Sequence, residues 1–163
     1  MKSKNILEQE FISLVKQYER VIYNVCTFYV SETSPLEDLY QETLLNLWKA
    51  FPNFRNECQT STWIYRIALN TCISDLRRNV KLRQNVPLSF LEHIAFEPDT
   101  QSIEIQELYS LIYKLNKIER SIILLWLEEK SYQEIADITG FSVANVATRL
   151  KRTKEKLKNM SNQ

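Results

Sequence analysis

The chain has 163 residues, of which 44% are hydrophobic and 11% aromatic, so its composition supports packed cores and excludes a disordered protein. One glycine and four prolines suit long helices and do not suit a β-sandwich, which needs a turn about every 8–12 residues. A formal net charge of +1 argues against a highly basic protein that coats DNA on its own by neutralising phosphates.

Membrane proteins and zinc proteins are also disfavoured. The longest uninterrupted apolar run, residues 122–127, is far too short to span a bilayer, and acidic residues stand near the N-terminus where a signal peptide needs an apolar stretch. Cys26, Cys58 and Cys72 are widely spaced and His93 is the only histidine, which makes a poor set of zinc ligands. We therefore expect a cytoplasmic protein without membrane insertion, metal or cofactor, whose cysteines are buried reduced thiols.

Hydrophobic periodicity predicts an all-α chain. The predicted helices span about 6–30, 35–51, 61–79, 103–115, 118–128, 131–138 and 142–159. Ser34 is expected to cap the second helix, with Pro35 at its first position and Pro52 at its end. Residues 60–62 offer caps for the third helix.

The second predicted helix has an apolar arc and a polar face. Leu39 and Leu45 stand on the polar face, among Asp38, Gln41, Glu42, Asn46 and Lys49. Exposed leucines in polar surroundings indicate a protein-binding patch. The periodicity alone fits packing of this face against the first helix equally well.

The third predicted helix places a tryptophan among arginines. Its polar face carries Trp63, Arg66, Asn70, Ser74, Arg77 and Arg78. Residues 66–83 have a net charge of +4, with five basic residues against one aspartate. This combination suits DNA that is being unstacked, since an aromatic ring can replace a base while arginine holds phosphates. The alternative is that Trp63 is a partly buried core residue.

The stretch after the third helix differs from its flanks. Residues 81–102 lose the helical periodicity and include two prolines, so we expect a linker between two small helical domains, residues 1–80 and 103–163. Residues 92–107 carry five acidic and no Lys or Arg residues. An acidic middle between two basic ends suggests two separate nucleic-acid surfaces.

The C-terminal stretch has the pattern of a helix-turn-helix. Gly140 makes the turn, with the small residue Ala136 four positions before it and the apolar Val146 six positions after it. Ser142 is placed to cap the second helix of the pair. Thr139 departs from the pattern, because an apolar residue is commoner before the glycine.

The last predicted helix carries two opposed arcs. One is apolar, with Val143, Val146, Ala147, Leu150 and Leu157, and the other carries Asn145, Thr148, Arg149, Arg152 and Lys156. Residues 141–163 have a net charge of +5, with six basic residues against one glutamate. Short polar groups and arginine suit base edges in the major groove, and the basic residues farther along suit phosphates. A merely solvated amphipathic helix is the alternative, but the helix-turn-helix spacing favours DNA binding.

Three stretches together resemble the extracytoplasmic-function sigma factors, which belong to the sigma-70 family. They are Asp-Leu-Tyr-Gln-Glu-Thr at 38–43 with Leu47-Trp48, Trp-Ile-Tyr-Arg-Ile-Ala-Leu-Asn at 63–70, and the helix-turn-helix ending Arg149-Leu-Lys-Arg152. The similarity runs from about residue 10 to 158 in the family's order and spacing. It implies sigma region 2 in residues 1–80, an acidic linker in 81–102 and sigma region 4 in 103–163.

The resemblance implies a function and partners. The chain would be an alternative sigma factor that binds core RNA polymerase, reads the −35 promoter element and melts the −10 element. Its expected partners are the β′ clamp helices and the β flap of the polymerase, promoter DNA and an anti-sigma factor, with no small-molecule substrate. The acidic linker would run through the polymerase channel towards the active site, where its charge could mimic nucleic acid.

The resemblance also assigns residues to each surface. Asp38, Gln41, Glu42, Leu45 and Lys49 would face β′. The −10 element would meet the loop at 53–62, which captures a flipped base, and the helix behind it, through Asn53, Arg55, Asn56, Thr62, Trp63, Arg66, Asn70, Arg77 and Arg78. The −35 element would meet Ser142, Asn145, Thr148, Arg149, Arg152 and Lys156, with Lys156 on phosphate alone. Leu115-Asn116 departs from the family's usual Leu-Pro, which should change only the start of the fifth helix.

Two other functional classes are less consistent with the sequence. A stand-alone helix-turn-helix regulator, with residues 1–80 as a sensor or dimer module, fits poorly with the near-neutral charge and the tryptophan-bearing third helix. An enzyme is disfavoured because the chain has one histidine, no glycine-rich loop and no nucleophile–base constellation.

Overall fold

The computed structural model describes residues 3–79 and 103–163 of the chain, and this part contains seven α-helices and no β-strand. We label them α1 Lys4–Thr27, α2 Leu36–Ala50, α3 Thr60–Asn79, α4 Ile103–Ile112, α5 Lys117–Leu127, α6 Tyr132–Thr139 and α7 Val143–Ser161, and a short 3₁₀ helix spans Phe51–Asn53. The helices fall into two compact units, with α1 to α3 in the first and α4 to α7 in the second. The prediction of an all-α fold of two small helical domains is confirmed.

Helix ends are where the sequence prediction was least accurate. Ser34 does not cap α2, because Pro35 occupies the N-cap position and the backbone of Ser34 pairs instead with that of Ser31, at 3.1 and 3.2 Å. The helix α3 already begins at Thr60, since the Trp63 N–H donates to the carbonyl of Gln59 at 3.1 Å. The predicted capping residues at 60–62 therefore lie inside the first turn.

Two helices, α1 and α4, end three residues earlier than predicted. The helix α1 ends at Thr27, whose hydroxyl donates to the Tyr23 carbonyl at 2.8 Å, and the chain then turns. The helix α4 ends at Ile112 because the N–H groups of Lys114 and Leu115 bond back three residues, which tightens the chain out of α geometry.

The three helices of the first unit share one core. Its centre includes Ile22, Leu47, Ile64 and Ala68, all inaccessible to solvent. Leu39 belongs to this core as well, at 1% exposure, so the prediction that it lies exposed on a polar face was wrong. The reason is that α2 packs against both α1 and α3, and a helix with two neighbours buries more than one arc.

The buried thiols lie in the same core. Cys26 and Cys72 are buried as predicted, whereas Cys58 is only partly buried. The Cys26 Sγ lies 3.6 Å from the hydroxyl of Thr43, which donates to the Leu39 carbonyl at 2.8 Å. Hydrogen bonding with Cys26 and burial raise the pKa of the Cys72 thiol well above its ordinary value. Cys72 is therefore a protonated packing residue near neutral pH.

The second unit is built around α5, whose residues 121–125 are all buried. Asn116 caps this helix by accepting hydrogen bonds from the N–H groups of Ile118 and Glu119 at 3.1 and 2.9 Å. The Glu119 carboxylate accepts in return from the Asn116 N–H at 3.2 Å, which completes a capping box. Asn116 thus supplies a helix start of its own where the family usually has proline.

Candidate nucleic-acid and polymerase interfaces

The helix-turn-helix is formed by α6 and α7. Ser131 begins α6 with a capping box, accepting from the Glu134 N–H at 3.1 Å while its own N–H donates to the Glu134 carboxylate at 2.7 Å. Gly140 ends α6 with φ of +83°, a left-handed conformation in which an L side chain is strained. Ala136 and Val146 are both buried, and the two helices pack against each other. The predicted turn at Gly140 is confirmed, and the burial of Ala136 and Val146 agrees with their predicted place between the two helices.

Thr139 has a local explanation for its departure from the pattern. Its hydroxyl donates to the Ile135 carbonyl at 2.7 Å and accepts from the Phe141 N–H at 3.4 Å. The polar atom is satisfied within the turn itself, so it costs little where an apolar side chain is commoner.

The apolar arc of α7 is buried only in part. Val146 and Leu150 are buried, whereas Val143, the first residue of the helix, is 40% exposed. Thr153 is buried instead, with its hydroxyl donating to the Arg149 carbonyl at 2.7 Å.

The predicted −35 residues lie on the solvent side of α7 or at its start. Ser142, Thr148, Arg152 and Lys156 are exposed, and Asn145 and Arg149 are half-buried. Ser142 caps the helix as predicted, because its hydroxyl accepts from the Asn145 N–H at 3.1 Å.

Arg149 is held by two neighbours. Its Nε donates to the Asn145 side-chain oxygen at 2.8 Å, and its guanidinium carbon lies 4.6 Å from the centre of the Phe141 ring. The ring belongs to the turn, immediately before the capping residue. Both contacts are made within the protein and restrict the position of the guanidinium.

Lys156 has a partner within the protein. Its ammonium lies 3.1 Å from the carboxylate of Glu119 on α5, and its side chain is 47% exposed. Such an exposed pair contributes little to stability and can open to reach a phosphate. A phosphate contact by Lys156 stays a prediction.

The predicted −10 loop is anchored by stacked aromatic rings. Phe54 and Trp63 stack with ring centroids 4.5 Å apart and an interplanar angle of 22°, and Phe51 lies 6.4 Å from Trp63. Trp63 is half-buried, which agrees with the alternative of a partly buried core residue, and its contact with DNA stays a prediction. One face of its indole is occupied by Phe54.

The other predicted −10 residues divide by exposure. Asn53, Arg55, Asn56 and Asn70 are exposed and Arg66 is half-buried. Thr62 is only 5% exposed, because it lies on the inner side of the first turn of α3 and faces the core instead of DNA. Arg77 and Arg78 are on the last turn of α3, and their side chains lie outside the described residues, as does the predicted linker at 81–102.

The predicted polymerase face lies on α2. Asp38, Gln41, Leu45 and Lys49 are exposed and Glu42 is half-buried. Leu45 is 57% exposed, as predicted. Nearby, the Asn46 side chain donates to the Thr71 hydroxyl at 2.9 Å and ties α2 to α3.

Both units match sigma-factor families. Residues 14–81 match Sigma-70 region 2, and residues 105–157 match Sigma-70, region 4. The RNA polymerase sigma factor YlaC of Bacillus subtilis is 30% identical over 166 residues, which cover 97% of this chain and 93% of YlaC. The chain belongs to the sigma-70 family of RNA polymerase sigma factors. The predicted resemblance is confirmed.

The subfamily follows from further relatives. The ECF RNA polymerase sigma-E factor of Haemophilus influenzae is 26% identical over 93% of this chain and 87% of that protein. The solved structure of the sigma factor RpoE from Bartonella quintana, in complex with the anti-sigma factor NepR, matches with a TM-score of 0.73 and 20% identity, covering 95% of this chain and 96% of RpoE. The chain is an extracytoplasmic-function sigma factor, and this family consists of DNA-binding regulators of transcription, not enzymes.

The described part of this sigma factor offers no sign of a metal site or a membrane span. No group of three or more potential metal ligands occurs within residues 3–79 and 103–163. None of the described helices combines the length and hydrophobicity that crossing a bilayer requires.

Two aromatic side chains of this sigma factor were missed from sequence. Phe54 stacks on Trp63 and so anchors the predicted −10 loop, and the ring of Phe141 contacts the guanidinium of Arg149. Phe141 stands directly before a helix cap and five positions before Val146, which is the pattern of a hydrophobic staple. That pattern would have singled out Phe141, although as an apolar contact and not as a platform for arginine.

Proposed function

We propose that this sigma factor divides its work between its two units, with residues 1–80 binding core polymerase and the −10 element, 103–163 reading the −35 element, and 81–102 as the linker. The observation that carries this assignment is that both family regions occur in one chain, each with its predicted contact residues mainly at the solvent-accessible surface. A cytoplasmic location, where core polymerase and promoter DNA are found, belongs to this proposal.

The exposed face of α2 supplies the polymerase contact. Leu45 gives an apolar centre, and Asp38, Gln41 and Lys49 give a polar rim, which is the usual anatomy of a protein interface. Its partner is the pair of clamp helices of β′. A second polymerase contact, between region 4 and the β flap, completes the holoenzyme.

The −10 element is melted at the loop and α3. Asn53, Arg55 and Asn56 are exposed in a loop that the Phe54–Trp63 stack fixes in place. A flipped base binds such a loop through its edge, and arginines hold the backbone of the separated strand. Arg66 and Asn70 on α3 extend this surface, with Arg77 and Arg78 beyond them.

The −35 element is read by α7. The helix begins at a capped N-terminus that favours phosphate, and its first turns present Asn145, Thr148 and Arg149 to base edges. Arg152 and Lys156 lie farther along and meet the DNA backbone. The acidic residues of the linker act in the polymerase channel, where they occupy a path that nucleic acid later takes.

An anti-sigma factor regulates the chain. The RpoE structure to which the fold is similar contains RpoE together with the anti-sigma factor NepR. A partner of this kind would hold the present chain away from core polymerase until an inducing signal releases it.

Reconstitution with core RNA polymerase tests the proposal. Run-off transcription on fragmented genomic DNA should yield transcripts from a defined set of start sites only when the chain is added. Leu45→Arg should lose core binding, whereas Arg149→Ala should keep core binding and lose promoter selectivity. Transcript patterns that are identical with and without the chain would overturn the assignment, as would an Arg149→Ala defect in core binding that equals that of Leu45→Arg.

A further inference from the structure

The turn of the helix-turn-helix contains an aromatic ring at the site where α7 meets its target. Phe141 is half-buried and lies between Gly140 and the capping Ser142, and the guanidinium carbon of Arg149 lies over its ring, 4.6 Å from the ring centre. A cation within about 6 Å of a ring centroid is attracted by the ring's negative face. The guanidinium is thus held against the turn, by a residue eight positions earlier in the chain.

The hydrogen bond from Arg149 to Asn145 determines which N–H donors of the arginine remain available for DNA. Its Nε–H is already donated to the Asn145 side-chain oxygen at 2.8 Å. An arginine has five N–H donors, so the terminal nitrogens keep four of them in a planar fork. That fork matches the O6 and N7 acceptors of guanine, the commonest specific contact in the major groove.

The same hydrogen bond constrains Asn145. Recognition of adenine by asparagine needs the amide oxygen to accept from the base and the amide nitrogen to donate to it. In this chain one lone pair of the oxygen accepts from Arg149, so this pair leaves both N–H donors of Asn145 but only one acceptor site for a base. Arg149 and Asn145 therefore act as one donor-rich unit directed at base acceptors.

We propose that Phe141 is a positioning residue for promoter selectivity, which holds the Arg149 fork so that the Phe141–Asn145–Arg149 unit selects guanine at one base pair of the −35 element. The proposal rests on the proposed role of α7 as the −35 reader. Phe141 contacts no base itself. Its effect is to lower the freedom of the arginine before binding, which sharpens selectivity instead of raising affinity for every sequence.

A purely structural role for Phe141 makes a different prediction. As an apolar staple at the start of α7, Phe141 would stabilise the unit, and its loss would weaken binding to all sequences alike. Base preference separates the two roles, because a staple does not distinguish guanine from the other bases.

Selection from a promoter library randomised at the −35 element, with reconstituted holoenzyme, is the test. Arg149→Ala should reduce the preference for guanine at one base pair by about 5- to 150-fold. Phe141→Leu should reduce the preference at that same base pair by about 2- to 5-fold, the contribution of a part-exposed cation–π contact. Phe141→Tyr keeps the ring and should keep the preference. The double variant of Phe141→Leu with Arg149→Ala should match Arg149→Ala alone, since the ring acts only through the arginine.

A matched control removes the same kind of contact elsewhere in the unit. Lys154 lies 3.9 Å over the ring of Trp126, and Trp126→Leu should leave every base preference unchanged. An unchanged preference in Phe141→Leu, an equal loss at all base pairs, or additive effects in the double variant would each overturn the proposal. Failure of the −35 assignment itself looks different, because Arg149→Ala would then also keep the preference.

Discussion

Leu45 and Leu39 lie on the same helix, yet the structure gives them opposite environments. Leu45 is 57% exposed and Leu39 is 1% exposed. If α2 is the face that binds β′, shortening Leu45 should weaken core binding and leave the fold intact, because substitutions at exposed positions usually change stability by less than about 0.5 kcal/mol. Leu39→Ala is the matched control and should do the reverse, costing about 2–5 kcal/mol of unfolding free energy.

The loss of binding can be sized from the exposed fraction. Full burial of a leucine contributes about 1.5–3 kcal/mol, so burying the exposed 57% of Leu45 contributes about 1–2 kcal/mol. Leu45→Ala should therefore raise the Kd for core polymerase about 5- to 30-fold. Leu45→Arg should raise it further, because a charge would be buried without a partner.

The assay is a titration of fluorescently labelled chain with core polymerase, followed by anisotropy, beside thermal unfolding by circular dichroism. Leu45→Arg should unfold at the wild-type temperature and bind weakly. Wild-type affinity in the Leu45→Arg variant would refute the assignment of α2. Equal losses of stability in the Leu45 and Leu39 variants would refute the packing on which it rests.

Four further outcomes follow from the second unit. Gly140→Ala should destabilise the second unit by about 1–2 kcal/mol in urea unfolding, because an L residue is strained at φ of +83°. A steric clash does not contribute, since no atom lies within 4 Å of the added carbon. An unchanged midpoint of urea unfolding would show that the turn relaxes. Ser131→Ala should cost about 1 kcal/mol through loss of the α6 cap. The hydrogen bond from the Ser131 N–H lowers the pKa of Glu134. The stability that this carboxylate contributes should therefore be present above the ordinary glutamate pKa and be lost as the pH falls through the lowered pKa of the folded state. A Glu134→Gln variant whose stability depends on acid pH as in the wild type would contradict this. Lys156→Ala should leave base preference unchanged and reduce the slope of log affinity against log salt concentration for promoter binding by about one. Loss of its exposed ion pair with Glu119 should lower the free energy of unfolding by less than about 1 kcal/mol. An altered base preference would mean that α7 docks on DNA in another rotation.

The sequence predicted those features that depend on neighbouring positions. Gly140, Ser142 and the buried Ala136 and Val146 follow from local rules of turns, caps and helix crossings, and they were identified correctly. Leu39 was misplaced because a helical projection assumes a single buried arc, whereas α2 has helices on two sides.

Helical periodicity cannot predict contacts between residues that lie far apart in the sequence. The pair of Lys156 and Glu119 joins positions 37 apart, and no pattern within one helix indicates it. The cation–π contact between Phe141 and Arg149 joins a turn to a helix, so a projection of α7 alone shows the arginine without the ring that it contacts. The exposure of most of the predicted contact residues could thus be predicted from the sequence, and the contacts that hold Arg149 could not.

Promoter opening by the reconstituted holoenzyme tests the sigma-factor function most directly. The measurement is permanganate reactivity of thymines in a duplex promoter that lies upstream of a start site mapped from the run-off transcripts. It is made with the chain alone, with core polymerase alone and with both together. Reactive thymines should appear at the −10 element only when both are present, and they should be lost with Leu45→Arg. If the chain alone bound the duplex specifically and added no reactive thymines to core polymerase, it would act as a stand-alone regulator, and the sigma-factor function would be contradicted.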